Sequence, residues 1–200
     1  MKNAIKRTVD LLACIVLAPF IVPIIGVCAV LIKLDSPGPV FFVQQRLGRN
    51  RRPFSIVKLR TMVPNAEHMG AGLYAVPDDP RYTRIGPTLR RLSLDELPQF
   101  YNVLKGDMSL VGPRPLPAAV IDQYKQEFDT ILTVRPGITG LSQVNGRNAL
   151  RRRERLQLDM YYATHWNPWL DLKILLQTVG VVFTGAGQTS YQAREEVEDV

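Results

Sequence analysis

The sequence predicts a mostly helical α+β protein, and three observations carry that expectation. An uncharged apolar run, Leu11 to Ile32, lies near the N-terminus. Two short strand-like runs, Val40 to Val43 and Phe54 to Val57, flank a basic turn. Beyond them, segments with helical patterning alternate with loops rich in glycine and proline.

The 200 residues are 46% apolar, enough for one core with an appendage. The net charge of +7 points to an anionic partner such as nucleic acid, anionic lipid or a phosphorylated small molecule. Both cysteines, Cys14 and Cys28, fall in the apolar run and read as small buried hydrophobes. With two histidines and two cysteines in all, a zinc site of these ligands is not expected.

Leu11 to Ile32 would form a helix about 33 Å long, close to the thickness of a bilayer core. A cleaved signal peptide fits poorly, because the run is long, lacks a small-x-small site and is followed directly by Lys33-Leu34-Asp35. Pro19 and Pro23 fall mid-segment, where each removes a helix hydrogen bond. Basic residues flank both ends: Lys2, Lys6 and Arg7 before, and Lys33, Arg46, Arg49, Arg51 and Arg52 after. The positive-inside tendency would hold both ends on the cytoplasmic side. Composition alone leaves a spanning helix and a bent, re-entrant one equally open.

After the Pro37-Gly38-Pro39 breaker, the strands are joined by Arg49-Asn50-Arg51-Arg52, and Lys58-Leu59-Arg60 extends the second, with Lys58 and Arg60 on one face. Residues 64–87 read as an irregular connection and 88–92 as a helical turn. A helix is expected over 93–104, ended near Gly106. Pro117 opens another to about Leu132. Leu150 to Ala163 and Pro168 to Thr184 complete the helical set, and Trp166 and Trp169 suit a membrane interface. The rigid loops Gly112-Pro113-Arg114-Pro115, Arg135-Pro136-Gly137 and Gly146-Arg147-Asn148 each present one arginine. Planar guanidinium forks on such loops suit bidentate phosphate binding, although satisfied surface arginines read the same way. The tail from residue 188 is acidic and reads as disordered.

The acidic pair Asp95-Glu96 has two readings. Ser93-Leu94-Asp95-Glu96 matches a capping box, with Ser93 as N-cap and Glu96 at N3. The same geometry serves chemistry: a carboxylate at a helix N-terminus beside Arg90 and Arg91 is expected to have a lowered pKa. An ionised Asp95 can attack phosphorus. The adjacent Glu96 can help hold a divalent cation.

Longer motifs then add an identity. Ser93 to Gln99 (SLDELPQ), Asn102 to Ser109 (NVLKGDMS), Val111 to Pro115 (VGPRP) and Val134 to Leu141 (VRPGITGL) resemble the bacterial sugar transferases. The likeness continues through Gln143 to Asn148, Asp159-Met160-Tyr161-Tyr162, Leu170 to Lys173, Phe54 to Met62 and the N-terminal segment. More narrowly, the chain is similar to the small monotopic polyprenyl-phosphate phosphoglycosyl transferases.

The resemblance implies transfer of a sugar 1-phosphate from a UDP-sugar to polyprenyl (undecaprenyl) phosphate, with Mg2+ as cofactor and UMP released. It is the first membrane-committed step of O-antigen, capsule, exopolysaccharide or glycoprotein assembly. Asp95 would be the nucleophile, forming an aspartyl-phosphosugar intermediate. Glu96 would assist, and both would be metal ligands. Arg90 and Arg114 would hold phosphates, with Lys58, Arg60, Arg135, Arg147 and Asp171 as further substrate-binding residues. The resemblance also implies a re-entrant helix–break–helix over residues 1–35 in the bacterial inner membrane. A compact cytoplasmic catalytic domain with amphipathic interfacial helices would follow over 36–187, and the tail over 188–200.

The expected partners are the UDP-sugar donor, the polyprenyl phosphate acceptor and membrane lipid, without nucleic acid. Apolar faces near Trp166 to Thr184 suit either lipid or a second copy in a homodimer. The chain departs from the family in one place: Ala18-Pro19 stands where Ser-Pro is common, so no hydroxyl is there to satisfy the backbone group that proline frees. Without the extra transmembrane helices of larger members, the chain reads as the minimal catalytic unit. Two other readings remain, a membrane-anchored basic binding protein and a membrane phosphohydrolase.

Overall fold

A computed structural model describes residues 2–70, 72, 79–121 and 125–184. The acidic tail expected to be disordered lies outside the described residues. The order of elements is α1 (Lys2–Asp35), β1 (Phe41–Leu47), β2 (Pro53–Leu59), α2 (Gly86–Arg91), α3 (Gln99–Lys105), β3 (Ser109–Val111), α4 (Ala118–Ile121), α5 (Lys125–Ile131), β4 (Gly137–Thr139), α6 (Leu141–Val144), α7 (Arg152–His165) and α8 (Pro168–Thr184).

The apolar run becomes one helix of 34 residues that continues through Pro19 and Pro23. Proline holds φ near the helical value, so losing one hydrogen bond bends a helix more readily than it ends one. The expected break is therefore not a gap in the helix. Both ends of α1 pack on the same domain. Near the N-terminus, Cys14 joins a core made with Phe54, Ile56, Val103, Met108, Val111, Tyr162 and Ile174. Near the C-terminus, Cys28 and Ile32 pack on Leu59 and Leu89. Between these contacts Ile15, Val16, Phe20, Val22 and Val27 are exposed. Among the described residues α1 is the one helix long and apolar enough to cross a membrane.

The β1–β2 hairpin is antiparallel, pairing Phe41 with Leu59 through Leu47 with Pro53. It is longer than the sequence suggests at its turn end, running to Leu47 and from Pro53, and one residue shorter at its open end, where Val40 and Arg60 fall outside the strands. Asn50 and Arg51, both at positive φ, close its turn. Asn102 on α3 ties the hairpin to the rest: its side chain accepts from the Val57 amide at 3.1 Å and donates to the Ser55 carbonyl at 2.7 Å. Fully buried, this asparagine sets α3 against β2 and so places Lys58 beside the residues that precede α3.

Strands β3 and β4 form a short parallel pair in what the sequence presents as loops. Three-residue strands carry no measurable alternation, so period-two reasoning misses them. Their approach is close because Gly137 meets Gly112: a Cβ on Gly137 would lie 2.0 Å from the Gly112 nitrogen. The helix expected from Pro117 to about Leu132 appears as α4 and α5, with 122–124 outside the described residues. Ile121, Phe128, Ile131 and Leu132 from this stretch pack with Leu156 of α7 in a second core.

The helix expected over 93–104 is divided. Leu94–Glu96 is a single 3-10 turn, and α3 starts only at Gln99. Pro98 has no amide to donate back to Leu94 and its ring crowds that carbonyl, so the α-helix has to begin afresh. It then ends as expected at Gly106, whose φ of 96° terminates it.

Candidate active site

The capping box does not form. Ser93 has a φ of 55°, in the left-handed region, and its hydroxyl caps no amide. The hydroxyl instead accepts from Arg147 Nη2 at 3.0 Å. Arg147 itself has a φ of 51°. Two non-glycine residues at positive φ, hydrogen-bonded to each other, flank the acidic pair. Such conformations cost roughly 1–3 kcal/mol each and concentrate at functional sites.

Both acids are screened from solvent, but differently. Glu96 Oε1 accepts from Lys58 Nζ at 2.9 Å and from Arg114 Nη1 at 3.2 Å. Burial works against the charge on Glu96, yet Lys58 and Arg114 outweigh it and hold the carboxyl down at about 2. Asp95 is 7% exposed and makes no side-chain hydrogen bond or ion pair with any described residue. Burial pushes its carboxyl above the ordinary range; Lys58 opposes the rise, the Glu96 charge adds to it, and Arg90 and Arg114 oppose it further. The lowering expected for the pair therefore falls on Glu96 and not on Asp95. The helix-terminus argument fails because no α-helix starts at Ser93 and because desolvation raises a buried acid that lacks hydrogen bonds.

The surrounding cations complete the picture. Burial lowers Lys58 from its ordinary value, against the pull of Glu96. Arg114 sits on the Pro113–Pro115 loop and is raised, chiefly by Glu96. Arg90 is aimed by two partners: its Nε donates to Thr61 Oγ1 at 3.0 Å and its Nη1 to the Tyr82 hydroxyl at 2.7 Å. Arg147 is lowered, mainly by burial, and its Nη1 is buried without a partner among the described residues. An orphaned buried guanidinium donor is costly unless a ligand satisfies it.

Of the residues expected at the site, Lys58, Arg90, Arg114 and Arg147 thus gather around Asp95 and Glu96. Three others are placed in structural contacts. Arg60 donates to the carbonyls of Ser36 (2.8 Å) and Pro37, clamping the chain where it leaves α1. Arg60 lies past the end of β2, so the strand alternation expected to align it with Lys58 does not apply. Arg135 donates from Nε to the Gly106 carbonyl at 3.0 Å. Asp171 receives Lys6 Nζ at 2.5 Å, the Tyr162 hydroxyl at 2.7 Å and Trp166 Nε1 at 2.9 Å, fastening α1 to α7 and α8. Tyr82 and Thr61, which orient Arg90, carry no signal that spacing could read.

Among the described residues no group of three or more acidic, histidine or cysteine side chains could hold a metal by itself. Two carboxylates are what the site offers. A carboxylate pair ringed by cations, on a domain docked against both ends of a long apolar helix, fits phosphate chemistry at a membrane. The model of the bacterial sugar transferase family matches residues 1–185, and the chain belongs to that family.

Among its relatives, the UDP-N-acetylgalactosamine-undecaprenyl-phosphate N-acetylgalactosaminephosphotransferase of Aeromonas hydrophila is 44% identical over 189 residues, covering 92% of this chain and 44% of that protein. The uncharacterized sugar transferase EpsL of Bacillus subtilis is 42% identical over 193 residues, covering 96% of this chain and 94% of that protein. The UDP-glucose:undecaprenyl-phosphate glucose-1-phosphate transferase of Escherichia coli K12 is 41% identical over 187 residues, covering 90% of this chain and 40% of that protein. The chain therefore spans less than half the length of the Aeromonas and Escherichia proteins, and nearly all of the Bacillus one.

Proposed function

We propose that this chain transfers a sugar 1-phosphate from a UDP-sugar to a polyprenyl phosphate through a covalent Asp95 intermediate. The observation that carries the reading is Asp95 itself: a buried carboxylate with no hydrogen bond to any described residue, facing Lys58, Arg90 and Arg114. A structural carboxylate would be satisfied, whereas an attacking one needs free lone pairs.

In the first displacement an Asp95 oxygen bonds to the sugar-bearing phosphorus, and the bond from that phosphorus to the bridging oxygen breaks, releasing UMP. In the second, an oxygen of the polyprenyl phosphate attacks the same phosphorus. The aspartyl–phosphorus bond breaks, restoring the carboxylate and giving a polyprenyl-diphosphate sugar. Splitting the transfer means that donor and acceptor phosphates need never share the site. Arg90 and Arg114 bind the phosphate oxygens and spread the charge of the transferring group, and Arg147 adds its unpaired Nη1. Lys58 keeps Glu96 ionised and favours ionised Asp95.

A divalent cation fits this donor set, because magnesium is ordinarily held by one or two carboxylates together with substrate phosphates and water. Asp95 and Glu96 would hold it, and it would supply charge neutralisation on the diphosphate.

The same reading places α1 as a re-entrant anchor with the catalytic domain on the cytoplasmic face. A straight helix of this length would reach about 51 Å, well beyond a bilayer core of about 30 Å. Both of its ends dock on one domain and its apolar middle is exposed. Trp169, Leu172, Leu176, Val179 and Phe183 form an exposed apolar stripe on α8 that suits the same interface.

The test is UMP release by purified protein given a UDP-sugar, polyprenyl phosphate and magnesium. Equal release by wild type and Asp95→Asn sinks the nucleophile assignment. Undiminished release without the lipid acceptor makes the protein a hydrolase. For topology, Asn3→Cys and Asp35→Cys should both label from the cytoplasmic side, and labelling from opposite sides excludes the re-entrant arrangement.

A further inference from the structure

Tyr82 stands in the stretch 64–87, which spacing presents as an irregular connection, yet its backbone is held on both sides. Met62 and Tyr82 pair in an antiparallel bridge. Around it the Val63 amide donates to the Arg81 carbonyl at 2.8 Å, and the Thr83 amide donates to the Thr61 carbonyl at 3.1 Å. Arg81 is buried and anchors the segment: it forks onto Asp79 at 2.8 and 2.6 Å and donates to the carbonyls of Ala66, Met69 and Gly72. Helix α2 is pressed on the same bridge, since a Cβ on Gly86 would collide with the Thr61 carbonyl. Arg90, four residues on, shares that face of α2 and so meets Thr61 and Tyr82 together.

These contacts leave Arg90 with one open edge. The Tyr82 ring covers a face of the guanidinium, with Cζ 4.9 Å from the ring centroid. Nε is taken by Thr61 at 3.0 Å and one Nη1 hydrogen by the Tyr82 hydroxyl at 2.7 Å. Both hydrogens of Nη2 and the second of Nη1 have no acceptor among the described residues. The Tyr82 hydroxyl is half used as well. It accepts from Arg90, but its own proton has no acceptor among the described residues. Accepting from a cation polarises a hydroxyl and strengthens it as a donor to an anion. We infer that Tyr82 is a substrate-binding residue: it sets the plane of Arg90, and its hydroxyl donates to the same UDP-sugar phosphate that the open edge of Arg90 grips. This rests on the transfer reading above.

Tyr82→Phe keeps the ring over Arg90 and removes only the hydroxyl. In the purified full chain, the UDP-sugar KM should rise roughly tenfold, as for loss of a hydrogen bond to a charged group, with kcat within about twofold and the polyprenyl phosphate KM level. The dissociation constant of UDP, measured by calorimetry with magnesium and no lipid acceptor, should rise by about the same factor. Tyr82 and Arg90 act as a unit, so adding Tyr82→Phe to Arg90→Lys should weaken UDP by much less than Tyr82→Phe does alone. A wild-type UDP affinity in Tyr82→Phe, a full additional loss in the double variant, or a rise confined to the polyprenyl phosphate KM overturns the inference. So does a wild type that binds no UDP. A wild type that binds UDP but releases no UMP from a UDP-sugar and polyprenyl phosphate overturns the transfer reading instead, and the UDP affinities still decide whether Tyr82 binds phosphate with Arg90.

Discussion

Two groups of screened carboxylates divide the work of this molecule. At the foot of α1, Asp10 accepts from the Ser109 hydroxyl at 2.8 Å and the Leu110 amide at 3.1 Å. Asp171 nearby accepts from Lys6, Tyr162 and Trp166. At the candidate site, Asp95 accepts nothing from any described residue. Burial is similar, with Asp10 at 3% and Asp95 at 7% exposure. A carboxylate whose two oxygens both accept hydrogen bonds fastens elements together, while one without such partners is free to react. Burial and charge alone do not separate the two kinds; hydrogen-bond accounting does.

The sharpest way to break this contrast is Asp95→Asn. Turnover should fall by about a thousandfold or more, measured as UMP release, while the midpoint of thermal unfolding in detergent stays level or rises. A large loss of stability would mean that Asp95 holds the fold as Asp171 does.

Next in size, Asp171→Ala strips the partner from a partly buried Lys6 and should destabilise the protein by about 3 kcal/mol in denaturant unfolding. The donor KM of the folded fraction should not change.

Glu96→Gln lies between the two groups, since Glu96 is both at the site and paired. Turnover should fall about 10- to 100-fold. Its pH behaviour sharpens the point. The folded carboxyl, at about 2, lies below the ordinary 4.5, so its stabilisation is present above 4.5 and lost as pH falls toward 2. Acid unfolding of Glu96→Gln should lack that component. Smallest, Asp10→Asn keeps one acceptor and should cost about 1 kcal/mol with activity intact.

The sequence reader can find the apolar anchor, the hairpin, the acidic pair and most helices, because each is written in local periodicity or punctuation. What escapes is whatever depends on distant partners. The capping box over Ser93 to Glu96 is a sound local reading, but Arg147 takes the Ser93 hydroxyl and Pro98 prevents the helix that would need a cap. The lowered pKa assigned to the pair moves to Glu96 because Lys58, far off in sequence, lands on that residue. Lys58, Arg90, Arg114 and Arg147 converge on the pair from four separate stretches of chain. Arg60, Arg135 and Asp171 carry the same motifs, yet their side chains are engaged by Ser36, Gly106 and Lys6. A motif marks a residue as needed without saying whether chemistry or architecture needs it.

The Lys6–Asp171 contact spans 165 positions of chain. At about 5–20 residues per second of synthesis, Lys6 leaves the ribosome roughly 8–33 seconds before its partner exists. Of the two partners, the α1 side is made first, and the contact between them closes only when α8 arrives.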